Sequence, residues 1–356
     1  MIKTFLKQHM KSIVFLAGLF LLIAASDFVF AQSGYIGYIL RSVDKAENQY
    51  DTVVLGASHA RCSVNPKTLD EKLGTSTINM SILGETVKDA YYVLLETDNH
   101  NDIRQVILDI DYQYFYGEQR EGYFAEAFIY NQLSWNSPVK WRYMAENLDK
   151  LDFRNGISQR NVYLVSPSSV FANIRQKTSQ GYKDADIYTL DMSSTGGHYE
   201  GNGFFPLSVS GQGPANAEYI EEWIGKEQTG IADMPREYLL KIINYCRDNN
   251  IELICVTAPI TPSCMSRLGL DVVDEDFTKL FEEEGVAYYN FNKARLDVLP
   301  RADEDFVDYE GHMGEPLAYK YSEVLGSVLN AHMSGNLNAD EYFYESFDEM
   351  FREMEE

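Results

Sequence analysis

Two short segments a whole domain apart carry the residue types of a serine nucleophile and its base: Val53-Val54-Leu55-Gly56-Ala57-Ser58-His59 and Asp308-Tyr309-Glu310-Gly311-His312. A serine hydroxyl attacks an acyl carbon only when a neighbouring base takes its proton, and an imidazole with an ordinary pKa of about 6.5 does this at neutral pH. His312 is the candidate base. Asp308 is the candidate carboxylate that orients the ring, with Asp305 as the reserve. His59 is the rival imidazole, but its side chain leaves a neighbouring position in another direction, so it is expected to line the site or cap a helix. Ser58 also has a plain structural reading as a helix cap. The chemistry these residues support together is acyl transfer through an acyl-serine.

Such a serine needs a strand that ends in a tight turn at the carboxyl edge of a sheet, where open α/β sheets bind their ligands. Backbone N–H groups left unpaired at a helix start then lie close to the developing oxyanion. The chain supplies this pattern. Apolar runs of strand length at 51–55, 76–80, 104–110, 251–257 and 286–291 alternate with helical stretches at 65–73, 86–97, 236–249, 275–284 and 316–331. That alternation predicts a five-stranded parallel sheet with helices on both faces. Between Tyr112 and Pro235 lies a long stretch of mixed character, helical from Asn131 to Leu151 and Gly/Ser/Tyr-rich from Gly196 to Gly213. It is expected to form a subdomain or lid over the carboxyl edge, because structureless connections of that length are uncommon.

With 356 residues the chain is long enough for a substantial core. Its 54 acidic and 30 basic residues give a formal charge of −24, which argues against a nucleic-acid partner, since phosphate binding requires clustered Lys and Arg. Lys3, Lys7 and Lys11 precede an apolar run from Ile13 to Ala25 that continues through Phe28-Val29-Phe30-Ala31. Residues 1–32 are therefore expected to be a membrane anchor or export signal, with everything after residue 32 outside the membrane. Small residues at Val29 and Ala31 also suit cleavage before Gln32; the uncleaved anchor is preferred. Cys62, Cys246, Cys255 and Cys264 lack the spacing of a zinc site, and no metal or cofactor is expected. The acidic tail, 333–356, reads as a solvated or amphipathic end.

The chain resembles the SGNH/GDSL hydrolases, a superfamily of flavodoxin-like esterases and acyltransferases. The likeness covers roughly residues 50–115 and 236–332. Gly56-Ala57-Ser58-His59 matches the nucleophile block, without the Asp that gives GDSL its name, and Asn79-Met80-Ser81-Ile82-Leu83-Gly84 matches the block whose glycine joins the oxyanion hole. The third block of the family carries Gly-x-Asn-Asp, where this chain has Asp109-Ile110-Asp111-Tyr112-Gln113-Tyr114-Phe115. The Gln followed by aromatics, and Thr257-Ala258-Pro259-Ile260-Thr261-Pro262, are similar to a membrane-anchored branch that contains the D-alanyl-lipoteichoic acid transfer proteins. The last block usually reads Asp-x-x-His, whereas Asp308 stands four residues before His312.

The resemblance implies an SGNH-type three-layer sandwich over residues 50–332 with an insertion at 112–235. It implies catalysis by Ser58, His312 and Asp308, with Gly84, Gln113, Asn79 and His59 around the oxyanion or substrate. For Asn79 a role as brace of the turn is as good a reading as substrate contact. The implied substrate is a cell-envelope polysaccharide or polymer, and the implied partner a membrane-bound O-acyltransferase. The alternative function is a non-catalytic polymer-binding or scaffold protein for such an enzyme.

Overall fold

A computed structural model describes residues 2–31, 34–117, 129–130, 132–147, 166–190, 196–208, 229–309 and 311–355. The chain divides into two units: Met1–Tyr38 with Glu121–Leu190, and Ile39–Arg120 with Asp191–Glu356.

The second unit is a flavodoxin-like α/β sandwich. Its sheet has five parallel strands, β1 (Thr52–Leu55), β2 (Thr77–Asn79), β3 (Gln105–Asp109), β4 (Glu252–Thr257) and β5 (Ala287–Asn290), in the order β2-β1-β3-β4-β5. Helices cover both faces. Pro66–Leu73 packs with Glu315–Met333, and Val87–His100 with Asp233–Asp248. Val53, Val54 and Leu55 of the inner strand are all fully buried, as expected for a β-branched run with helices above and below. Val54, Ile107, Ile254 and Val256 meet Leu317, Tyr321 and Leu325 in one core, each buried aliphatic side chain contributing about 1.5–3 kcal/mol before entropy is charged.

Local chemistry ends the helices where the sequence signals it. Asn65 accepts a hydrogen bond from the Lys67 amide, with Pro66 at the first helical position, and Gly74 closes that helix at φ 72°. Thr86 and Asp89 form a reciprocal capping box at the start of Val87–His100.

The stretch from Tyr112 to Pro235, read from sequence as one insertion, is shared between the two units. Residues 196–208 belong to the sandwich because Phe204 and Phe205 are buried in it. The Asn79 amide at the outer edge of β2 donates to Asn202 O (2.8 Å), and the Phe205 amide to Arg61 O (3.1 Å). Gly203, at φ +87°, lies so close to β2 that a Cβ would sit 1.7 Å from Asn79 O. Residues 131, 148–151 and 209–213, at the ends of the two stretches expected there, lie outside the described residues. The acidic tail carries a helix, Phe347–Glu355, whose Phe347 and Met350 pack with Ile260, Cys264, Met265 and Tyr309.

The first unit contains the helix Ile2–Phe30. Its stretch His9–Phe30, 22 residues whose most apolar 18 have mean hydropathy 2.5, is long and apolar enough to cross a membrane; at 1.5 Å per residue it extends about 33 Å. The helix Pro167–Thr178 packs against it. Lys177 Nζ donates to the carbonyls of Asp27, Phe28 and Ala31, and Asn173 Nδ2 to those of Val29 and Ala31. The carbonyls at the end of the long helix, which have no partner within it, are thus capped by side chains from far along the chain.

Candidate active site

β1 delivers the turn that carries Ser58. Gly56 takes φ +153°, and a Cβ there would stand 2.9 Å from Asp109 Cβ and 3.0 Å from Ala60 Cβ, so only glycine allows the turn to press against the end of β3. Ser58 opens the helix Ser58–Ser63 and is 7% exposed. Its Oγ lies 2.7 Å from His312 Nε2.

His312 and Asp308 come from a loop that doubles back on itself. The Val307 amide donates to His312 O (2.8 Å), and Phe306 bridges to Met313. Gly311, at φ +115°, lets the backbone approach Ile260, where a Cβ would meet Ile260 Cα at 2.6 Å. Asp308 Oδ1 accepts from the amides of Gly311 and His312 (3.0 and 3.1 Å), while Oδ2 lies 2.6 Å from His312 Nδ1. The four-residue offset is thereby closed: the turn at Gly311 absorbs the extra residue and brings the carboxylate to the ring. Burial alone would raise the Asp308 carboxyl, but the hydrogen bond and charge of His312 and the nearby His59 outweigh it and hold it at about 2. Asp305 is turned away, accepting from the Ala302 amide (2.8 Å).

The remaining candidates separate into those that line the site and those that brace it. The His59 ring packs edge-on against His312 with centroids 4.5 Å apart. Its Nδ1 lies 3.4 Å from Asp111 Oδ2, an oxygen that also accepts from Gln113 Nε2 (2.9 Å). Burial pushes the His59 ring below its ordinary pKa and favours the neutral form. The amide nitrogen of Gln113 is thus turned toward a carboxylate. Gly84, at φ +65°, lies in the turn after β2, where the Ile82 amide donates to Gly56 O (3.1 Å) and abuts the Gly56–Ser58 turn. Asn79 is a brace: its Nδ2 donates to Ala60 O and Val64 O (both 2.9 Å), and its Oδ1 accepts from the Ser81 amide. It is fully buried, so the substrate-contact reading gives way to the structural one.

Several supporting residues carry no warning in the sequence. Asp111 pairs with His59 although only its place beyond an apolar strand marks it. Thr261 Oγ1 donates to Tyr309 O (2.7 Å), and Tyr309 OH donates to Ser263 O (3.0 Å), tying the histidine loop to the segment after β4. Asp109 accepts from the Ala258 amide (2.9 Å), and burial, helped by the charge of Asp111, pushes its pKa up to about 8.

This last group makes a measurable prediction. A carboxyl that ionises near 3.9 in the unfolded chain but near 8 when folded keeps its proton only in the folded state between those values. Stability therefore falls as pH rises from about 4 to about 8, by up to roughly 1.4 kcal/mol per pH unit from this group. In Asp109→Asn that slope is expected to flatten over the same window in chemical denaturation. An unchanged slope would place the group's ionisation elsewhere.

Among the described residues, two clusters bring metal-ligand types together away from Ser58: Asp44, Glu96 and His100, and His198, Glu200 and Glu315. In the first, His100 already lies 3.3 Å from Asp44; in the second, His198 is bonded to Glu200 at 2.8 Å. All four cysteines are buried, and burial pushes Cys62 and Cys246 up to about 12. The chain matches no protein-family model and no curated protein.

Proposed function

We propose that this chain is an SGNH-like serine esterase or O-acyltransferase, held to the cell membrane by its N-terminal helix and acting outside it on an envelope glycan or related polymer. The observation that carries the reading is the continuous path from Ser58 Oγ through His312 to Asp308, with contacts of 2.7 and 2.6 Å. Both are within the reach that proton transfer requires.

In this mechanism Ser58 Oγ attacks an ester carbonyl while His312 Nε2 takes the hydroxyl proton. Asp308 keeps the Nδ1 proton in place and stabilises the imidazolium. The amides of Ser58 and Gly84 hold the tetrahedral oxyanion, with Gln113 contributing once its amide leaves Asp111. His312 then returns the proton to the departing alcohol, and the acyl group stays on Ser58. Water or an acceptor hydroxyl resolves the acyl-enzyme by the reverse steps. The insertion faces the polymer or a membrane-bound O-acyltransferase that supplies the acyl group.

A fluorophosphonate probe tests the nucleophile in the full chain, and protease added to intact spheroplasts tests the topology. Labelling of Ser58 and digestion from outside are expected. Absence of labelling removes the acyl-serine reading, and full protection until lysis removes the envelope substrate.

A further inference from the structure

His59 Nε2 is buried and has no hydrogen-bond partner among the described residues, and the same is true of Asp111 Oδ1. Both residues are about 95% buried. Leaving such atoms unpaired costs about 1–3 kcal/mol each, and these two sit beside the nucleophile and its base. Because the Asp111 carboxylate faces Nδ1 of His59, the ring proton belongs on Nδ1 and Nε2 presents a lone pair. A lone pair on a neutral ring receives an O–H or N–H donor. The His312 ring, 4.5 Å away centroid to centroid, is already assigned to the attacking hydroxyl.

We propose that His59, oriented by Asp111, binds a second hydroxyl of the acyl acceptor, next to the one that attacks, so that the preferred acceptors are vicinal diols such as sugars and polyols. This rests on the acyl-serine reading. In the transfer step the attacking oxygen forms its bond to the acyl carbon and gives its proton to His312 Nε2. The bond from that carbon to Ser58 Oγ breaks, and the same proton returns to Oγ. The neighbouring hydroxyl only donates a hydrogen bond to His59 Nε2, and no atom of it is transferred.

The test uses the full chain in detergent, with p-nitrophenyl acetate as acyl donor and 1,2-propanediol against 1-propanol as competing acceptors. The ratio of the two acetate products, compared with the ratio of free acceptors, is independent of how fast Ser58 is acylated. The wild type is expected to favour the diol about tenfold, what one hydrogen bond contributes. His59→Ala should bring the ratio close to one, and His59→Gln, whose amide oxygen accepts, should retain part of it. Should His59→Ala fold poorly, Asp111→Asn, which no longer fixes the tautomer, must show the same fall. A wild-type burst of p-nitrophenol with a ratio near one overturns the diol subsite and leaves the acyl-serine reading standing. A preference that survives in His59→Ala also overturns the subsite. Absence of any burst overturns the acyl-serine reading itself.

Discussion

Replacing Ser58 with alanine is expected to abolish ester turnover and fluorophosphonate labelling together while the fold survives. Among the described residues the hydroxyl makes a single short contact, to His312 Nε2, and Ala57, which precedes the helix Ser58–Ser63, makes no side-chain capping bond that depends on it. Alanine suits the first turn of a helix, so the loss in stability should stay near 1 kcal/mol or below. Thermal unfolding by circular dichroism separates the two effects. A Ser58→Ala protein that is folded, active and still labelled would move the nucleophile elsewhere.

The second large effect belongs to the carboxylate. On the proposed mechanism Asp308→Asn should lower kcat by about 10⁴-fold, because an amide no longer holds the Nδ1 proton in place and the ring loses the tautomer that leaves Nε2 free to accept. His312→Ala should fall at least as far. Since Asp308 is held at about 2, its charge persists through the range where an imidazole titrates, and the acid limb of the rate profile belongs to the base rather than to the carboxylate. Steady-state kinetics from pH 5 to 9 checks this. If Asp305→Asn proved as damaging as Asp308→Asn, the assignment of the orienting carboxylate would have to be exchanged.

The strands were legible because they are local facts. A β-branched run such as Thr52–Leu55, fully buried between two helix layers, advertises itself by composition, and glycine after it announces the turn. The meeting of Ser58 with His312, 2.7 Å apart, was legible for a related reason: few residue types can serve as a nucleophile and its base, so the two candidates stand out in the chain. Partners set by tertiary contacts were less so. Whether a four-residue offset brings Asp308 to the ring depends on Gly311 pressing on Ile260, which no spacing rule contains. Asn79 looked equally suited to substrate and to bracing until the carbonyls of Ala60 and Val64 were seen to take both its amide hydrogens. Asp111 carried no signal of its pairing because its histidine lies 52 positions earlier in the chain. Residues 196–208 looked like covering loop, yet the burial of two consecutive phenylalanines makes them part of the sandwich.

The clasp that Lys177 and Asn173 place on Asp27 through Ala31 bears on how the protein matures. A processing peptidase reads its target as an extended strand, whereas here the residues ahead of Gln32 are helical to Phe30 and the carbonyls of Asp27, Phe28, Val29 and Ala31 are already occupied. Trimming at that point must first unwind the last turn and release every one of those contacts. On the export topology proposed above, residues 167–178 docked on this helix would shield the segment ahead of Gln32 from cleavage, so the order of docking and cutting would set whether the domain stays attached.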